Sequence, residues 1–334
     1  MTERPRILLV TTGGTIEMLR VADGHLAPCD DADGLLRRIP DLHQLGEIDL
    51  LQVANVDSSN ILPQLWPAIA RAIHQRMDDY DGFVVTHGTD TLCYTSAALS
   101  FMLQELPKPV VVTGAQIPLD DIGTDARRNL ISAVRVATSD LAEVVVVFGA
   151  QIIRGTRAKK TSAFDVQAIT SVRAVPLGNI GLFVRWNSAP RPRGPRKALL
   201  QPFLEERVAM VPVYPGFRPD ILEYLAQNHE GIVLEGFGAG NLPTEGLSLI
   251  PVIRTAAARG IPVVVCTQCH VGSTQMELYH VGRAALEAGA IPAMDMTRET
   301  SLVKLMWVLG QTRDPAAVDS MMRKSYVGEI HEPT

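Results

Sequence analysis

Short runs of apolar, β-branched residues alternate with longer stretches of helical periodicity along this chain. Runs of this kind occur at residues 7–10, 83–86, 110–112 and 144–148. Between them, apolar residues repeat at helical spacing in the stretches 62–77, 92–103 and 126–137. Because parallel strands are joined by crossovers that are usually helices, this order predicts a parallel sheet covered by helices on both faces.

The segment NSAPRPRGPRK, residues 187–197, interrupts this alternation with three prolines, a glycine and four basic residues. Such a composition without apolar periodicity is typical of a linker. Strand and helix patterns then resume on a smaller scale. We predict an open parallel-sheet domain of flavodoxin-like or Rossmann-like type over residues 1–186, a linker over 187–207, and a smaller α/β domain over 208–334.

Composition narrows the class of protein. The 334 residues are 46% hydrophobic and carry a net charge of −5, without the basic surface of a nucleic-acid binder. The apolar runs are shorter than the ~20 residues of a membrane span, and the N-terminus MTERPRILLV does not resemble a signal peptide. Four cysteines favour a reducing compartment over a disulfide framework. We therefore expect a cytoplasmic enzyme that binds neither nucleic acid nor a membrane.

Polar side chains follow several predicted strands at the point where each strand ends. TTGGT at 11–15, DSSN at 57–60, THGTDT at 86–91 and TGAQ at 113–116 occupy such positions, and a later loop carries Lys160. In open parallel sheets, ligands bind beyond the carboxyl ends of the strands. The sequence therefore predicts a functional site at this edge of the sheet.

The residue types in these loops favour one kind of chemistry. The chain has no P-loop, HExxH or GxSxG motif, and the TTGGT turn lacks GxGxxG spacing. Hydroxyls beside a lysine and an aspartate are suited to acyl transfer by a threonine nucleophile, with a lysine of lowered pKa as base. Backbone N–H groups of a glycine-rich turn could stabilise the oxyanion. We expect no cofactor and no metal.

These motifs resemble those of the bacterial L-asparaginase/glutaminase family, and its cytoplasmic, type I-like class in particular. The resemblance rests on two signatures, TGGTI at 12–16 and HGTDT at 87–91. It continues through FGAGNLP at 237–243 and MDMTRETSLVKL at 294–305, so that it covers essentially the whole chain. It implies a small-molecule amide substrate, a larger N-terminal and a smaller C-terminal α/β domain, and a homodimer or homotetramer.

The resemblance also implies the catalytic residues. Thr15 corresponds to the nucleophile that accepts the acyl group, and Thr89, Asp90 and Lys160 to a second hydroxyl–carboxylate–amine set. The family has a tyrosine in the mobile loop after the nucleophile, whereas this sequence reads GGTIEMLRVADGHLAP and has His25 in that place. Histidine can pass a proton near neutral pH, although it lacks the length and the high pKa of a phenol.

The implied substrate-binding residues are Asp57, Ser58, Ser59, Thr89, Asp90 and Asn241. Asp57, Ser58 and Ser59 correspond to the group that holds the substrate's α-carboxylate, and Asp90 to the residue that binds its α-ammonium. Asn241 corresponds to a residue that reaches the site from a partner subunit. We therefore predict hydrolysis of the side-chain amide of L-asparagine. The alternatives are hydrolysis of another small amide and a non-catalytic amino-acid sensor.

Two further features are interpreted as structural. His87, within the HGTDT signature, is expected to shape its loop through hydrogen bonds rather than to catalyse. Residues Cys266 to His270 match the CxxCH pattern of c-type haem attachment. Because that attachment belongs to exported proteins, we expect the two cysteines to be buried or interface thiols.

Overall fold

A computed structural model describes residues 4–20, 26–28 and 32–331. The chain separates into two compact units, the first ending at Pro202 and the second beginning at Phe203. His25 lies outside the described residues, so its role stays a prediction. Among the helices of the described ranges, none is long and apolar enough to cross a membrane.

The first unit is built around a mixed sheet with helices packed on it. Its strands are β1 (Arg6–Thr11), β2 (Met18–Arg20), β3 (Leu26–Pro28), β4 (Glu47–Gln52), β5 (Gly82–Thr86), β6 (Leu103–Gln104), β7 (Val110–Thr113), β8 (Val144–Phe148), β9 (Gln151–Arg154), β10 (Ala158–Lys160), β11 (Ile169–Ser171), β12 (Gly178–Ile180), β13 (Val184–Trp186) and β14 (Leu199–Leu200). Its α-helices are α1 (Ala32–Arg38), α2 (Leu65–His74), α3 (Leu92–Met102) and α4 (Ala126–Ala137). Short 3₁₀ helices occur at Pro40–Gln44, Ser58–Asn60 and Gly155–Arg157.

The central sheet has eight strands in the spatial order β13-β12-β9-β8-β7-β5-β1-β4. The five strands from β8 to β4 run parallel, which confirms the predicted open parallel-sheet domain. The strands β9, β12 and β13 add an antiparallel edge that the sequence patterns did not indicate. The chain passes from β1 to β4 and then returns to β5 on the other side of β1. The strand order therefore reverses between β1 and β5, which places the expected ligand crevice at the carboxyl ends of these two strands.

The parallel strands are apolar on both faces, as strands covered on both sides must be. On one face, Leu9 of β1 and Val84 of β5 pack in one cluster with Leu130 and Ala133 of α4. The helix α3 contacts β7 and β8 and is in turn contacted by α2. This packing holds the ends of β1 and β5 in place, and with them the loops that follow.

The predicted linker, residues 187–207, includes the division between the units. Its first part is attached to the first unit, since β14 pairs with β6. Arg193 donates from Nε to the carbonyl of Ser139 at 2.7 Å and from Nη2 to the carbonyl of Ala137 at 2.9 Å. The arginine-rich stretch is thus held on the surface of this unit by backbone carbonyls.

The second unit is a smaller α/β domain, as predicted. Its strands are β15 (Val208–Pro212), β16 (Gly231–Gly236), β17 (Val263–Thr267) and β18 (Ile291–Pro292), and all of them run parallel in that spatial order. Its helices are α5 (Pro219–Asn228), α6 (Ile250–Ala258), α7 (His280–Glu287), α8 (Arg298–Gln311) and α9 (Pro315–Arg323), with a 3₁₀ helix at Met276–Leu278. Cys266 is buried in β17 and Cys269 is exposed, and both are free thiols.

Candidate active site

The TTGGT motif forms a tight turn at the carboxyl end of β1. Gly13 and Gly14 have φ angles of 93° and 86°, in the left-handed region that favours glycine. A Cβ atom on Gly13 would lie 2.6 Å from the amide nitrogen of Val56, and one on Gly14 would lie 2.3 Å from that of Gly88. The glycines therefore allow the turn to contact the backbones of the loops that follow β4 and β5. We call residues 12–15 the glycine turn.

The threonines around the glycine turn differ in accessibility. Thr11 and Thr12 are buried, and the Thr12 hydroxyl donates to the carbonyl of Thr86 at 2.8 Å. Thr15 is only partly buried. Because a nucleophile must be reachable by its substrate, these positions favour Thr15 over Thr12 as the reacting residue.

Lys160 connects the strand β10 to the loop after β5. Its Nζ donates to Thr89 Oγ1 at 2.8 Å and to Asp90 Oδ1 at 2.7 Å. Thr89 Oγ1 in turn donates to Gln116 Oε1 at 2.8 Å. Thr89 is buried, whereas 60% of the Asp90 side chain is exposed. The structure thus brings together the three residues of the predicted second set and leaves the carboxylate of Asp90 open to a ligand.

Gln116 is a member of this network that sequence reasoning missed. It was noticed only as part of the TGAQ segment and was given no role. Its backbone N–H is held by both carboxylate oxygens of Asp125, each at 3.1 Å. Since Gln116 follows the carboxyl end of β7, its position in a predicted polar strand end was the available signal.

The DSSN segment after β4 is held next to the Thr89–Asp90 loop. Asp57 Oδ1 accepts from the backbone N–H of Ser59 at 2.8 Å and from its hydroxyl at 2.6 Å, and these hydrogen bonds lower the pKa of Asp57. Ser58 Oγ accepts from the backbone N–H of Asp90 at 3.3 Å. This leaves the Ser58 hydroxyl proton available to an anionic ligand. The substrate-binding residues predicted in the first unit therefore form one continuous surface.

Asn241 belongs to the second unit, unlike the other predicted site residues that the structure describes. Its backbone exchanges hydrogen bonds with Phe237 in the turn after β16, at 2.8 and 3.0 Å. Within the described part of the chain, its buried side-chain oxygen Oδ1 has no hydrogen-bond partner.

His87 is fully buried between the β5 loop and α3. Its Nδ1 lies 2.7 Å from the carbonyl oxygen of Gly88, and its Nε2 lies 2.8 Å from Thr95 Oγ1, which also accepts from Trp66 Nε1 at 3.0 Å. Burial lowers the pKa of His87 to about 4, so the ring is neutral at neutral pH. These contacts support the interpretation that His87 shapes the loop.

Glu17 is a second residue that sequence reasoning missed. Its carboxyl group is buried and accepts a hydrogen bond from the hydroxyl of Thr86. Burial raises the pKa of Glu17 to about 7, although hydrogen bonds from Thr86 and Gly13 and the charge of Arg38 act in the opposite direction. The signal in the sequence was an acidic residue between the apolar Ile16 and Met18, directly after the glycine turn.

The described residues include no group of His, Cys, Asp and Glu side chains that could hold a metal ion. The site instead combines an accessible threonine, a lysine bound to a second threonine, and an open carboxylate. Such a set can support nucleophilic attack on an amide, followed by proton transfer to the leaving nitrogen.

Family models match most of the chain. The model described as "Asparaginase, N-terminal" matches residues 6–191, and "Glutaminase/Asparaginase C-terminal domain" matches residues 207–322. An "L-asparaginase" from Thermococcus kodakarensis is 40% identical over 327 residues, which is 97% of this chain and 99% of that protein. "L-asparaginase 1" from Escherichia coli K12 is 36% identical over 98% of both chains.

A further relative has another activity in its name. This protein, a subunit of the glutamyl-tRNA(Gln) amidotransferase from Methanothermobacter thermautotrophicus, is 41% identical over 99% of this chain and 78% of its own length. Among solved structures, the thermostable L-asparaginase from Thermococcus kodakarensis has a TM-score of 0.93 and 39% identity, covering 98% of this chain and 100% of that one. A "Probable Cytoplasmic L-asparaginase" from Campylobacter jejuni has a TM-score of 0.81 and 27% identity, covering 96% of this chain and 100% of that one.

Proposed function

This chain belongs to the asparaginase family, and we propose that it hydrolyses the side-chain amide of L-asparagine to L-aspartate and ammonia through an acyl-enzyme on Thr15. The observation that carries the proposal is the Lys160–Thr89–Asp90 network beside the glycine turn. It lies where the strand order reverses, at the carboxyl ends of β1 and β5. No cofactor or metal is required for this reaction.

The charged groups of the site suit a small zwitterionic amino acid. The exposed carboxylate of Asp90 would bind the α-ammonium group. The α-carboxylate would accept the Ser58 hydroxyl proton and the backbone N–H groups at the start of the 3₁₀ helix Ser58–Asn60, whose positive end favours an anion. Asp57 orders this helix by capping Ser59. Both ends of the amino-acid backbone would thus be fixed, leaving the side-chain amide to face Thr15.

The reaction then proceeds in two steps. Thr15 Oγ1 attacks the amide carbon, the oxyanion is stabilised by backbone N–H groups of the glycine turn, and the leaving nitrogen takes a proton and departs as ammonia. Water attacks the resulting ester, which breaks the bond to Thr15 Oγ1 and releases aspartate. We assign proton movement in these steps to Thr89 and Lys160, because their 2.8 Å hydrogen bond lets a neutral lysine take the threonine proton.

We propose a homodimer or homotetramer, in which Asn241 of one copy completes the site of another. The unpartnered Oδ1 atom of Asn241 supports this role. The side chains of Phe164 and Ile122 are almost fully exposed, which is typical of a surface that a second copy covers. We propose a cytoplasmic location, in keeping with the probable cytoplasmic L-asparaginase whose structure this chain resembles.

The proposal is tested by ammonia release from L-asparagine, L-glutamine and a panel of other small amides. We expect the wild type to prefer L-asparagine, and Thr15→Ala to lower kcat/KM by roughly 10⁴-fold or more. Thr12→Val is the matched control, since the Thr12 hydroxyl serves the fold. Activity confined to another amide would replace the substrate. Binding of amino acids without release of ammonia would make the protein a sensor.

We propose that His25 takes part in proton transfer in place of the family's loop tyrosine. We expect His25→Tyr to raise turnover of L-asparagine and His25→Ala to lower it. Equal rates in the wild type and both variants would remove His25 from the mechanism.

A further inference from the structure

The glycine turn is attached at both of its ends to one residue of the neighbouring strand. On its N-terminal side, the Thr12 hydroxyl donates to the carbonyl oxygen of Thr86 at 2.8 Å. On its C-terminal side, the Thr86 hydroxyl donates to Glu17. Thr12 and Glu17 flank Thr15, so Thr86 holds the segment that carries the nucleophile by a carbonyl at one end and a hydroxyl at the other.

The same residue also sets the position of the second threonine. Thr86 is the last residue of β5, and the chain continues directly to Gly88 and Thr89. The backbones of Gly14 and Gly88 touch, since a Cβ atom on Gly14 would lie 2.4 Å from the Cα of Gly88. A shift of the glycine turn relative to Thr86 therefore changes the separation between Thr15 and Thr89.

We propose that Glu17 is a positioning residue of the hydrolysis, which clamps the glycine turn onto Thr86 and so fixes Thr15 relative to Thr89. This role rests on the proposed function. The ionised carboxylate can accept from the Thr86 hydroxyl and the Gly13 N–H at the same time, and charged acceptors form the stronger hydrogen bonds. The protonated acid has less acceptor capacity, so the clamp weakens when Glu17 takes up a proton.

The groups around Glu17 set the pH at which this happens. The glycine turn contributes the Gly13 N–H and β5 contributes the Thr86 hydroxyl, while α1 contributes Arg38, whose Nη1 is itself 3.0 Å from Asp120 Oδ2. His87, the next residue after Thr86, is neutral at neutral pH because burial lowers its pKa to about 4. With a pKa of about 7, Glu17 exchanges its proton near neutral pH.

The test is the ratio of wild-type to variant kcat across pH, measured with L-asparagine. Glu17→Gln keeps a neutral acceptor for Thr86 and cannot ionise. We expect the ratio of wild-type to Glu17→Gln kcat to rise roughly tenfold as pH increases through about 7, with KM nearly unchanged. Glu17→Ala, which removes the acceptor, should lose more kcat than Glu17→Gln at every pH.

Two threonine variants provide the matched comparison. Thr86→Val removes the donor to Glu17, so it should move the wild-type inflection to higher pH. Thr113→Val removes a comparable buried hydroxyl at the end of β7, which donates to the carbonyl of Val147 at 2.8 Å, and it should leave the inflection in place. A kcat ratio between wild type and Glu17→Gln that is constant with pH would overturn the proposal, as would equal effects of the two threonine variants.

A second readout does not depend on turnover. Hydrogen exchange of peptides that contain the glycine turn should be faster in Glu17→Ala and Thr86→Val than in the wild type, and unchanged in Thr113→Val. If the wild type released no ammonia from L-asparagine but exchange rose in this pattern, the proposed function would fail while the clamp stood. Unchanged exchange in both Glu17→Ala and Thr86→Val would remove the clamp.

Discussion

Each compact unit contains a lysine–carboxylate pair with an N–O distance of 2.7 Å, but the two pairs differ in exposure. In the first unit, Lys160 and Asp90 are 22% and 60% exposed. In the second unit, Lys304 and Glu329 are both 0% exposed. An exposed ion pair contributes little to stability, whereas breaking a buried one leaves a charge without compensation. The same chemistry therefore serves a ligand in one unit and the fold in the other.

The surroundings of the buried pair explain why it is stable. Lys304 Nζ also donates to the carbonyls of Met322 and Lys324, at 3.0 and 2.6 Å. The carboxylate of Glu329 accepts from the backbone N–H groups of Tyr326 and Val327, at 3.0 and 2.9 Å. Burial lowers the pKa of Lys304, and the charge of Glu329 opposes this effect. The pair therefore ties α8 to the end of α9 and to the segment that follows it.

Glu17 is an intermediate case. It is buried like the residues of the second pair, but a hydroxyl and a backbone N–H replace the lysine. Full compensation gives a permanent charge and partial compensation gives a group that titrates near neutral pH. Removing the partner of each carboxylate in turn tests this distinction.

The largest expected effect is on activity in the first unit. Lys160→Met should lower kcat/KM for L-asparagine roughly 10³-fold, because it removes the amine that exchanges protons with Thr89. Its midpoint of thermal unfolding should change little, since an exposed pair is worth ~0–1 kcal/mol. Ammonia release and calorimetry on the same sample measure both. A large loss of stability with retained activity would mean that the pair serves the fold.

The opposite result is expected in the second unit. Lys304→Met should lower the free energy of unfolding by ~3–5 kcal/mol, because Glu329 is left as an uncompensated buried charge. Denaturant titration measures this effect, and the folded fraction should retain wild-type kcat. Adding Glu329→Gln to Lys304→Met should recover part of the loss. A stability equal to that of the wild type in Lys304→Met would show that the buried pair is not structural.

The stability effect of Glu17 should depend on pH. Its pKa is raised from 4.5 to about 7, so the folded state binds the proton more tightly than the unfolded state. The wild type therefore loses stability as pH rises from about 4.5 through about 7, by about 3 kcal/mol in total. Glu17→Gln lacks this loss, so its stability relative to the wild type should increase over the same interval. Parallel stability curves for the two proteins would contradict the raised pKa.

The smallest effect is expected for an exposed pair outside the site. Arg323 and Asp319 lie four residues apart on α9 at 2.9 Å, with both side chains about 40% exposed. Arg323→Gln should change the free energy of unfolding by no more than ~0.5 kcal/mol and leave kcat unchanged. A loss comparable to that of Lys304→Met would show that exposure does not separate the pairs.

Much of the fold could be predicted from local patterns. The apolar runs of β5, β7 and β8 and the periodic helices α3 and α4 indicated the parallel sheet correctly. The antiparallel edge was missed because β12 and β13 are only three residues long and have no apolar run. Strands of this length are specified by their neighbours in the sheet and not by their own sequence.

The candidate site shows the same limit. The polar strand ends indicated that Thr89, Asp90 and Lys160 would meet, and their contacts agree with that expectation. Glu17 was missed because its partner Thr86 is 69 residues away, and nothing local shows that its carboxyl group is buried. The role of Gln116 likewise depends on a contact with Thr89 that only the folded sheet creates.

The central claim is that Thr15 carries the acyl group, and the most direct test is mass spectrometry of enzyme quenched during turnover of L-asparagine. The reaction predicts a peptide containing residues 12–16 that has gained the mass of aspartate less one water, with the ester on Thr15. The modification should be absent in Thr15→Ala. An acyl group on Thr12 or Thr89, or turnover by Thr15→Ala at the wild-type rate, would contradict the account.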